Sequence, residues 1–381
     1  MLVSRSDRGT IARWWFTVDR PLLSAVLLLM AMGVLISMAA SPPVAERIGL
    51  DPFHFFRSQL FYLGIAVGLL FFVSFLEIAW ARRFALAMFG LAIVLMVAAL
   101  FIGPEIKGAH RWINIGPIGL QPSELGKPAF VAAAAWFLSE HVRRPEMPGN
   151  FIAFGMFLLF TGLLILQPDF GQTALVLATF GAMLLIYGIP WIVVFGLGAL
   201  ALAGVASAYA LVPHVTSRID RFLNPDKGDT FQVDTAMQAF KNGGLMGQGP
   251  GAGEAKLVLP DAHTDFTFAV VGEEFGLIAC LALMLLFFFV IIRVLRRAKA
   301  EPDPFAALAM FGLATMFGLQ ACINMGVNVA LLPAKGMTLP FISYGGSSLI
   351  GTAFAMGLVL ALARRRPSIA ASPSLWRPAV A

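Results

Sequence analysis

The chain has 381 residues, 59% of them hydrophobic and only 13% charged, with 34 Phe and 17 Met. That composition excludes a soluble globular protein, which could not hide so much apolar surface from water. The net charge of +6 does not indicate nucleic acid, because the basic residues cluster at the ends of apolar runs. The two cysteines, Cys280 and Cys322, both lie inside apolar runs without metal-ligand spacing, so no disulfide framework is expected.

Uncharged runs long enough to cross about 30 Å of hydrocarbon recur along the chain. Residues 1–20 carry Arg5, Arg8, Arg13 and Arg20 ahead of a first run, 21–41. Ser37-Met38-Ala39-Ala40 resembles a signal cleavage site, but the run is long and many others follow, so it reads as an uncleaved helix. Further runs are 58–76, 84–104, 121–141 and 151–168. The stretch 172–212 is twice a span, and Gly188-Ile189-Pro190 splits it into two helices. Runs at 265–292, 305–330 and 343–363 complete an all-α bundle of ten transmembrane helices in one membrane domain. Segments predicted to lie inside hold sixteen of the 27 Lys and Arg, which places both termini in the cytoplasm. Residues 1–20 read as a cytoplasmic tail, 213–264 as a large outer loop between helices seven and eight, and 365–381 as a disordered cytoplasmic tail. No internal repeat or matched pair of broken helices suggests a secondary transporter.

Polar chemistry gathers in four segments on the predicted outer face. In the first, 105–128, Trp112 fits an interfacial anchor and Gln121-Pro122 a helix start. Glu124 falls in the first turn of that helix, and Lys127 lies one turn deeper on the same side. The pair reads either as a helix end with a snorkelling lysine or as a cation held for an anionic head group. In the second segment, Gln167–Gln172, Asp169 could cap the next helix or orient a neighbouring cation. The third is the loop 213–264, where Val233, Ala236, Met237 and Phe240 form an amphipathic stripe. That stripe predicts a short helix on the membrane surface. Six glycines between 243 and 253 could form a hinge or a backbone nest for an anion. In the fourth, 324–348, Asn324 and Asn328 should face the bundle, since lipid offers an amide no partner. Lys335 stands alone on the outer side, and Gly345-Gly346-Ser347-Ser348 should let the last helix pack closely.

Residues 257–276 concentrate Asp261, His263, Asp265, Glu273 and Glu274 beside a strongly apolar run. Ionisable groups at a span are costly to bury and mark functional candidates. The eighth helix should end near Arg293, and twenty residues back from there, about 30 Å, lies Glu273. Asp265 would then stand about 12 Å further out. Capping by Thr264 or Asp265 would explain one carboxylate but not the cluster.

Four stretches, in order between residues 105 and 350, together resemble the SEDS family (shape, elongation, division and sporulation) of peptidoglycan polymerases. They are His110-Arg111-Trp112-Ile113-Asn114 with Gln121-Pro122-Ser123-Glu124 and Lys127; Gln167-Pro168-Asp169; Leu259-Pro260 and His263-Thr264-Asp265-Phe266 with Gly272-Glu273-Glu274; and Pro340-Phe341-Ile342-Ser343-Tyr344-Gly345-Gly346-Ser347-Ser348. Leu332-Pro333-Ala334-Lys335-Gly336 resembles the FtsW division branch. The resemblance implies a glycosyltransferase that polymerises lipid II on the outer face of the cytoplasmic (inner) membrane, at the division septum. It implies Asp265 as the catalytic carboxylate; Arg111, Trp112, Glu124, Lys127, Asp169, His263, Lys335 and Ser343 are the candidate substrate-binding set. No organic cofactor is expected, and the candidate metal is a divalent cation, Mg or Mn, of unknown site. Expected partners are lipid II, the undecaprenyl-pyrophosphate-linked glycan, a class B penicillin-binding protein, other division proteins and the membrane, and not nucleic acid. A lipid II flippase and a non-enzymatic division scaffold are the competing classes.

Overall fold

The computed structural model describes residues 9–106, 108–116, 118–211, 216, 220, 230–333 and 336–365. In hydrocarbon a backbone must satisfy its own hydrogen bonds, so the apolar runs fold as helices. The first half holds α1 (Thr10–Thr17), α2 (Arg20–Ala40), α3 (Pro42–Arg47), α4 (His54–Ser74) and α5 (Ile78–Ile102). Two small hairpins follow, β1 (Glu105–Ile106) with β2 (Ala109–His110), and β3 (Ile113–Ile115) with β4 (Ile118–Leu120). Then come α6 (Pro122–Arg143), α7 (Gly149–Leu166), α8 (Phe170–Tyr187) and α9 (Trp191–Leu211). The last part holds α10 (Phe231–Gly243), α11 (Ala255–Val258), α12 (Thr267–Ala300), α13 (Pro304–Asn328) and α14 (Gly346–Leu362).

Among the described residues, seven helices are long and apolar enough to cross a membrane: α2, α4, α5, α7, α8, α12 and α13. The remaining expected runs correspond to α6, α9 and α14. The split at 188–190 occurs where expected: Gly188 adopts the left-handed conformation (φ 88°) that ends α8. α5 begins at Ile78 rather than at 84, because Arg82 and Arg83 remain helical. Their guanidinium groups lie over the rings of Trp136 and Phe305, at 5.5 and 5.8 Å, and of Trp80, at 5.2 Å.

The centre of the bundle is α6, α13 and α14. Ser347 through Leu362 are buried without interruption in α14. These helices carry alanine and glycine where backbones meet, the usual means of close approach when lipid supplies no hydrophobic drive. A Cβ on Gly351 would stand 2.4 Å from the Glu124 carbonyl oxygen, and one on Gly346 would enter the Tyr62 ring. The Gly-Gly-Ser-Ser segment thus packs α14 tightly against α4, as expected.

Two differences from expectation matter. Within the predicted N-terminal tail, α1 is docked: Trp14 stacks on Phe75 at 4.8 Å and donates to Ser74 Oγ at 3.0 Å. Just beyond it, Asp19 is buried, caps α2 through the Leu22 amide and accepts from Arg293 Nε and Arg297 Nε at 2.8 and 2.7 Å. The second difference is in α12, which is not straight. Gly276 has φ 77° and ψ 179°, so residues 267–275 and 277–300 are two helical pieces. The count that reached from Arg293 back to Glu273 over about 30 Å assumed a continuous helix, and it does not hold across this break.

The glycine-rich loop fills the break. Gln248 and Gly249 donate their amides to the carbonyls of Glu273 and Glu274 at 2.9 and 3.0 Å. Leu277 and Ile278 donate back to Gly244 and Leu245 at 2.9 and 3.3 Å. Groups that an interrupted helix would leave bare are thereby satisfied. The stripe of α10 does not lie on lipid as expected. Ala236, Ala239 and Gly243 are buried, with Phe240 against Phe268 of α12 (ring centroids 5.7 Å). Most of 213–229, and residues 366–381, lie outside the described residues.

Candidate active site

The site lies at the end of the bundle where α6, α8 and α12 begin and α13 ends. Asp265 occupies a tight turn in which the amides of Thr264, Asp265 and Phe266 all reach the Asp261 carbonyl. Neither Thr264 nor Asp265 caps α12. The N-cap is Phe266, without a side-chain bond, and the Ala269 amide is instead received by Asn328 Oδ1 at 3.0 Å. A helix start normally draws in the nearest short polar side chain. Here a distant amide does that task, so capping does not account for the half-buried Asp265 carboxylate. Its carbonyl accepts from Asn324 Nδ2 and Asn328 Nδ2, both at 2.9 Å. Gly336 lies opposite, so close that a Cβ there would stand 3.5 Å from Asp265 Oδ2. Lys335, the preceding residue, lies outside the described residues.

His263 is near Asp265 but is not a cation. It is 9% exposed, with ring centroids 4.5 Å from Phe55 and 5.4 Å from Tyr344. Burial, helped by Arg47 and partly opposed by Asp261, pushes its imidazole down to about 4. It is therefore neutral at pH 7, and its carbonyl anchors the Tyr344 amide at 2.9 Å. Arg47 of α3 was not singled out by sequence, yet it donates to the carbonyls of Val258, Leu259 and Pro260. Its signal was an arginine on the side where the charge count expects few basic residues.

Glu124 and Lys127 form a buried pair, 5% and 2% exposed. Lys127 Nζ donates to Glu124 Oε1 at 3.0 Å, Gln172 Oε1 at 2.7 Å and Gln320 Oε1 at 3.2 Å. An ammonium has three donors, and all three are engaged. This corrects both earlier readings: Lys127 neither snorkels to the surface nor holds a proton free for a head group. Gln172 Nε2 donates to the same Glu124 oxygen, Oε1, at 2.8 Å. The partners Gln172 and Gln320 were missed, although an amide inside an apolar run is itself a signal.

Arg111 and Asp169 organise the α7–α8 turn. Arg111 donates to the carbonyls of Gln167 and Pro168, and its Nη1 lies 3.9 Å from Asp169 Oδ2. Asp169 caps α8 through the Gln172 amide at 3.3 Å and accepts from Gln121 Nε2 at 3.2 Å. Both sequence readings of Asp169, cap and partner of a cation, describe it together. Trp112 is half-buried at the edge of the β3–β4 hairpin, beside Gly119. Ser343 is buried and its hydroxyl accepts the Leu339 amide at 3.0 Å. It closes its own turn.

Glu273 and Glu274 are also internal. Glu273 accepts from the Ala255 amide and Asn242 Nδ2, while Glu274 accepts from the Gly251 amide and pairs with Lys256. The glycine-rich loop does receive anions on its backbone amides, but the anions are the chain's own carboxylates. Unlike Glu273 and Glu274, Asp265 has its carboxylate beside the segment that begins at Gly336. Among the described residues no three His, Cys, Asp or Glu side chains converge as metal ligands. The described residues therefore do not fit a protein-held divalent cation.

Comparison with known proteins agrees with this geometry. The profile of the FTSW_RODA_SPOVE family, described as Cell cycle protein, matches residues 20–367. The probable peptidoglycan glycosyltransferase FtsW of Caulobacter vibrioides is 44% identical over 96% of this chain and 94% of its own. The Coxiella burnetii protein of the same name is 36% identical, over 91% of this chain and 96% of its own. A chain from a structure described as "Structural coordination of polymerization and crosslinking by a peptidoglycan synthase complex" superposes with a TM-score of 0.76. It is 30% identical, and the match covers 92% of this chain and 98% of that one. Rod shape determining protein RodA of Thermus thermophilus gives 0.67 at 30% identity, over 92% of this chain and 97% of its own. The motif order, the helical bundle and these matches lead to one assignment: the chain belongs to the FTSW_RODA_SPOVE family of cell cycle proteins, the SEDS family its motifs resemble.

Proposed function

We propose that this protein is a peptidoglycan glycosyltransferase that polymerises lipid II into glycan strands, with Asp265 as its general base. The observation that carries the reading is the placement of Asp265 beside Gly336, with the capping of α12 delegated to Asn328. The growing glycan on undecaprenyl pyrophosphate is the donor, and the 4-hydroxyl of the lipid II N-acetylglucosamine is the acceptor. Asp265 takes the hydroxyl proton as the oxygen attacks the anomeric carbon with inversion, and the bond to pyrophosphate breaks. The electron pair leaves with the pyrophosphate, and the proton held by Asp265 passes to water. A carboxylate suits this role at neutral pH because it is ionised there unless burial intervenes.

The leaving pyrophosphate needs positive charge nearby. Arg111 and Lys127 already donate to Gln167, Pro168, Glu124, Gln172 and Gln320. Lys335, next in sequence to Gly336, is the candidate cation. We place ten helices across the cytoplasmic membrane, both termini in the cytoplasm, and the Asp265 end outside at the division septum. A class B penicillin-binding protein is the proposed partner, supplying the crosslinking activity, and other division proteins complete the assembly. These assignments rest on the charge distribution, the motifs and the names of the relatives.

Purified Asp265→Asn tests the reading. It should fold, bind its partner and make no glycan from lipid II. Full polymerisation by that variant removes Asp265 from the mechanism.

A further inference from the structure

α13 presents three amides, Gln320, Asn324 and Asn328, four residues apart and hence on one face. All three are buried. In an apolar helix such groups must find partners inside the protein, and these bond mainly to the backbone of the two segments that flank Asp265. Gln320 Nε2 donates to the Thr338 carbonyl at 3.2 Å. Asn324 Nδ2 donates to the Met337 carbonyl at 2.6 Å and to the Asp265 carbonyl at 2.9 Å. Asn328 Nδ2 donates to the Asp265 carbonyl and to the Asn324 carbonyl, each at 2.9 Å, while its Oδ1 caps Ala269.

Asn324 therefore bridges two walls. One wall is the turn that bears Asp265. The other is the segment that begins at Gly336, which lies against the Asp265 carboxylate. One side-chain amide, with one hydrogen for each wall, sets the spacing between them. The opposite end of the row is fixed as well, because Gln320 Oε1 accepts from the buried Lys127 ammonium. The ion pair on α6 and the carboxylate at the head of α12 are thus joined through three consecutive turns of α13.

We propose that Gln320, Asn324 and Asn328 form an amide ladder whose role is to position the Asp265 carboxylate for proton transfer. The proposal rests on Asp265 being the base. The three amides act through backbone carbonyls, so they are positioning residues. Misplacement of a reacting group by about 1 Å can cost on the order of a hundredfold in rate.

The test uses the full chain, with glycan synthesis measured against the lipid II fraction in the membrane. Asn324→Ala separates the two walls while leaving the Asn328 cap in place. It should melt close to wild type, with kcat reduced about tenfold to a hundredfold and KM unchanged. Asn328→Asp keeps an acceptor for the Ala269 amide and loses both donors, so it should show the same split. Wild-type kcat in both variants overturns the proposal, as does a rise in KM with kcat intact. Failure of both to fold also overturns it, by making the ladder a structural clamp only. Asp265→Asn is run alongside. If that variant is fully active, the assignment of the base fails, and a rate loss in the ladder variants then has another cause.

Discussion

Lys127→Met tests the energetics of the buried pair. Methionine keeps most of the side-chain volume and removes the charge with its three donors. Glu124 would then hold one donor, Gln172 Nε2 at 2.8 Å, in a site only 5% exposed. Two amide oxygens, of Gln172 and Gln320, would also lose their partner. Removing one partner of a buried ion pair typically costs about 3–5 kcal/mol, because the other charge is left uncompensated. Glu124→Gln with Lys127→Met removes both charges, and the neutral amide can still bond Gln172. The double variant should therefore recover at least about 2 kcal/mol relative to the sum of the singles, as expected for residues in direct contact. Unfolding of purified protein in mixed micelles, followed by tryptophan fluorescence, reads all four members of the cycle. A Lys127→Met protein as stable as wild type, or a cycle that is simply additive, would refute the account of an internally satisfied pair.

Two further outcomes follow from the geometry. Gly276→Ala introduces a Cβ 2.4 Å from the Gly247 nitrogen and the Leu245 oxygen, at a φ of 77° that alanine resists. It should destabilise the protein by more than about 1 kcal/mol and expose the 244–255 loop to protease, which limited proteolysis would show. His263 has a folded-state pKa lowered from 6.5 to about 4, so its neutral form is the one the fold accepts. The stability it allows is complete above the unfolded value and falls as pH drops from 6.5 toward 4, by as much as about 3 kcal/mol. His263→Phe should flatten that part of the pH–stability curve, and an unchanged acid loss in the variant would contradict the assignment.

The sequence conveyed much of the helical layout because crossing hydrocarbon leaves few options, and runs such as 305–330 and 343–363 differ from α13 and α14 by only a few residues. Asp265 was legible for a related reason: an acidic residue at the head of an apolar run is costly wherever it sits. Its spatial setting was not legible. The distance estimate took α12 as a rod, whereas Gly276 ends one piece and starts another, and one glycine in an apolar run does not announce a break. The third partner of Lys127 comes from Gln320, far along the chain, and periodicity reports only neighbours on the same helix. The same limit hid His263, whose neutrality depends on rings from Phe55 and Tyr344. The glycine run reads as a hinge or a nest for an anion, and nothing in its spacing announces that Glu273 and Glu274 bond to that loop.

The break in α12 has a mechanical consequence. Four backbone hydrogen bonds stitch residues 244–249 to residues 273–278 across the gap. Glu273 and Glu274 add side-chain rivets to the next stretch of loop. A push or pull on that surface loop cannot be absorbed by the loop alone. It reaches both pieces of α12, the short one at Glu273 and Glu274 and the long one at Leu277 and Ile278. The glycine loop and both halves of the helix are thus tied together around a single glycine.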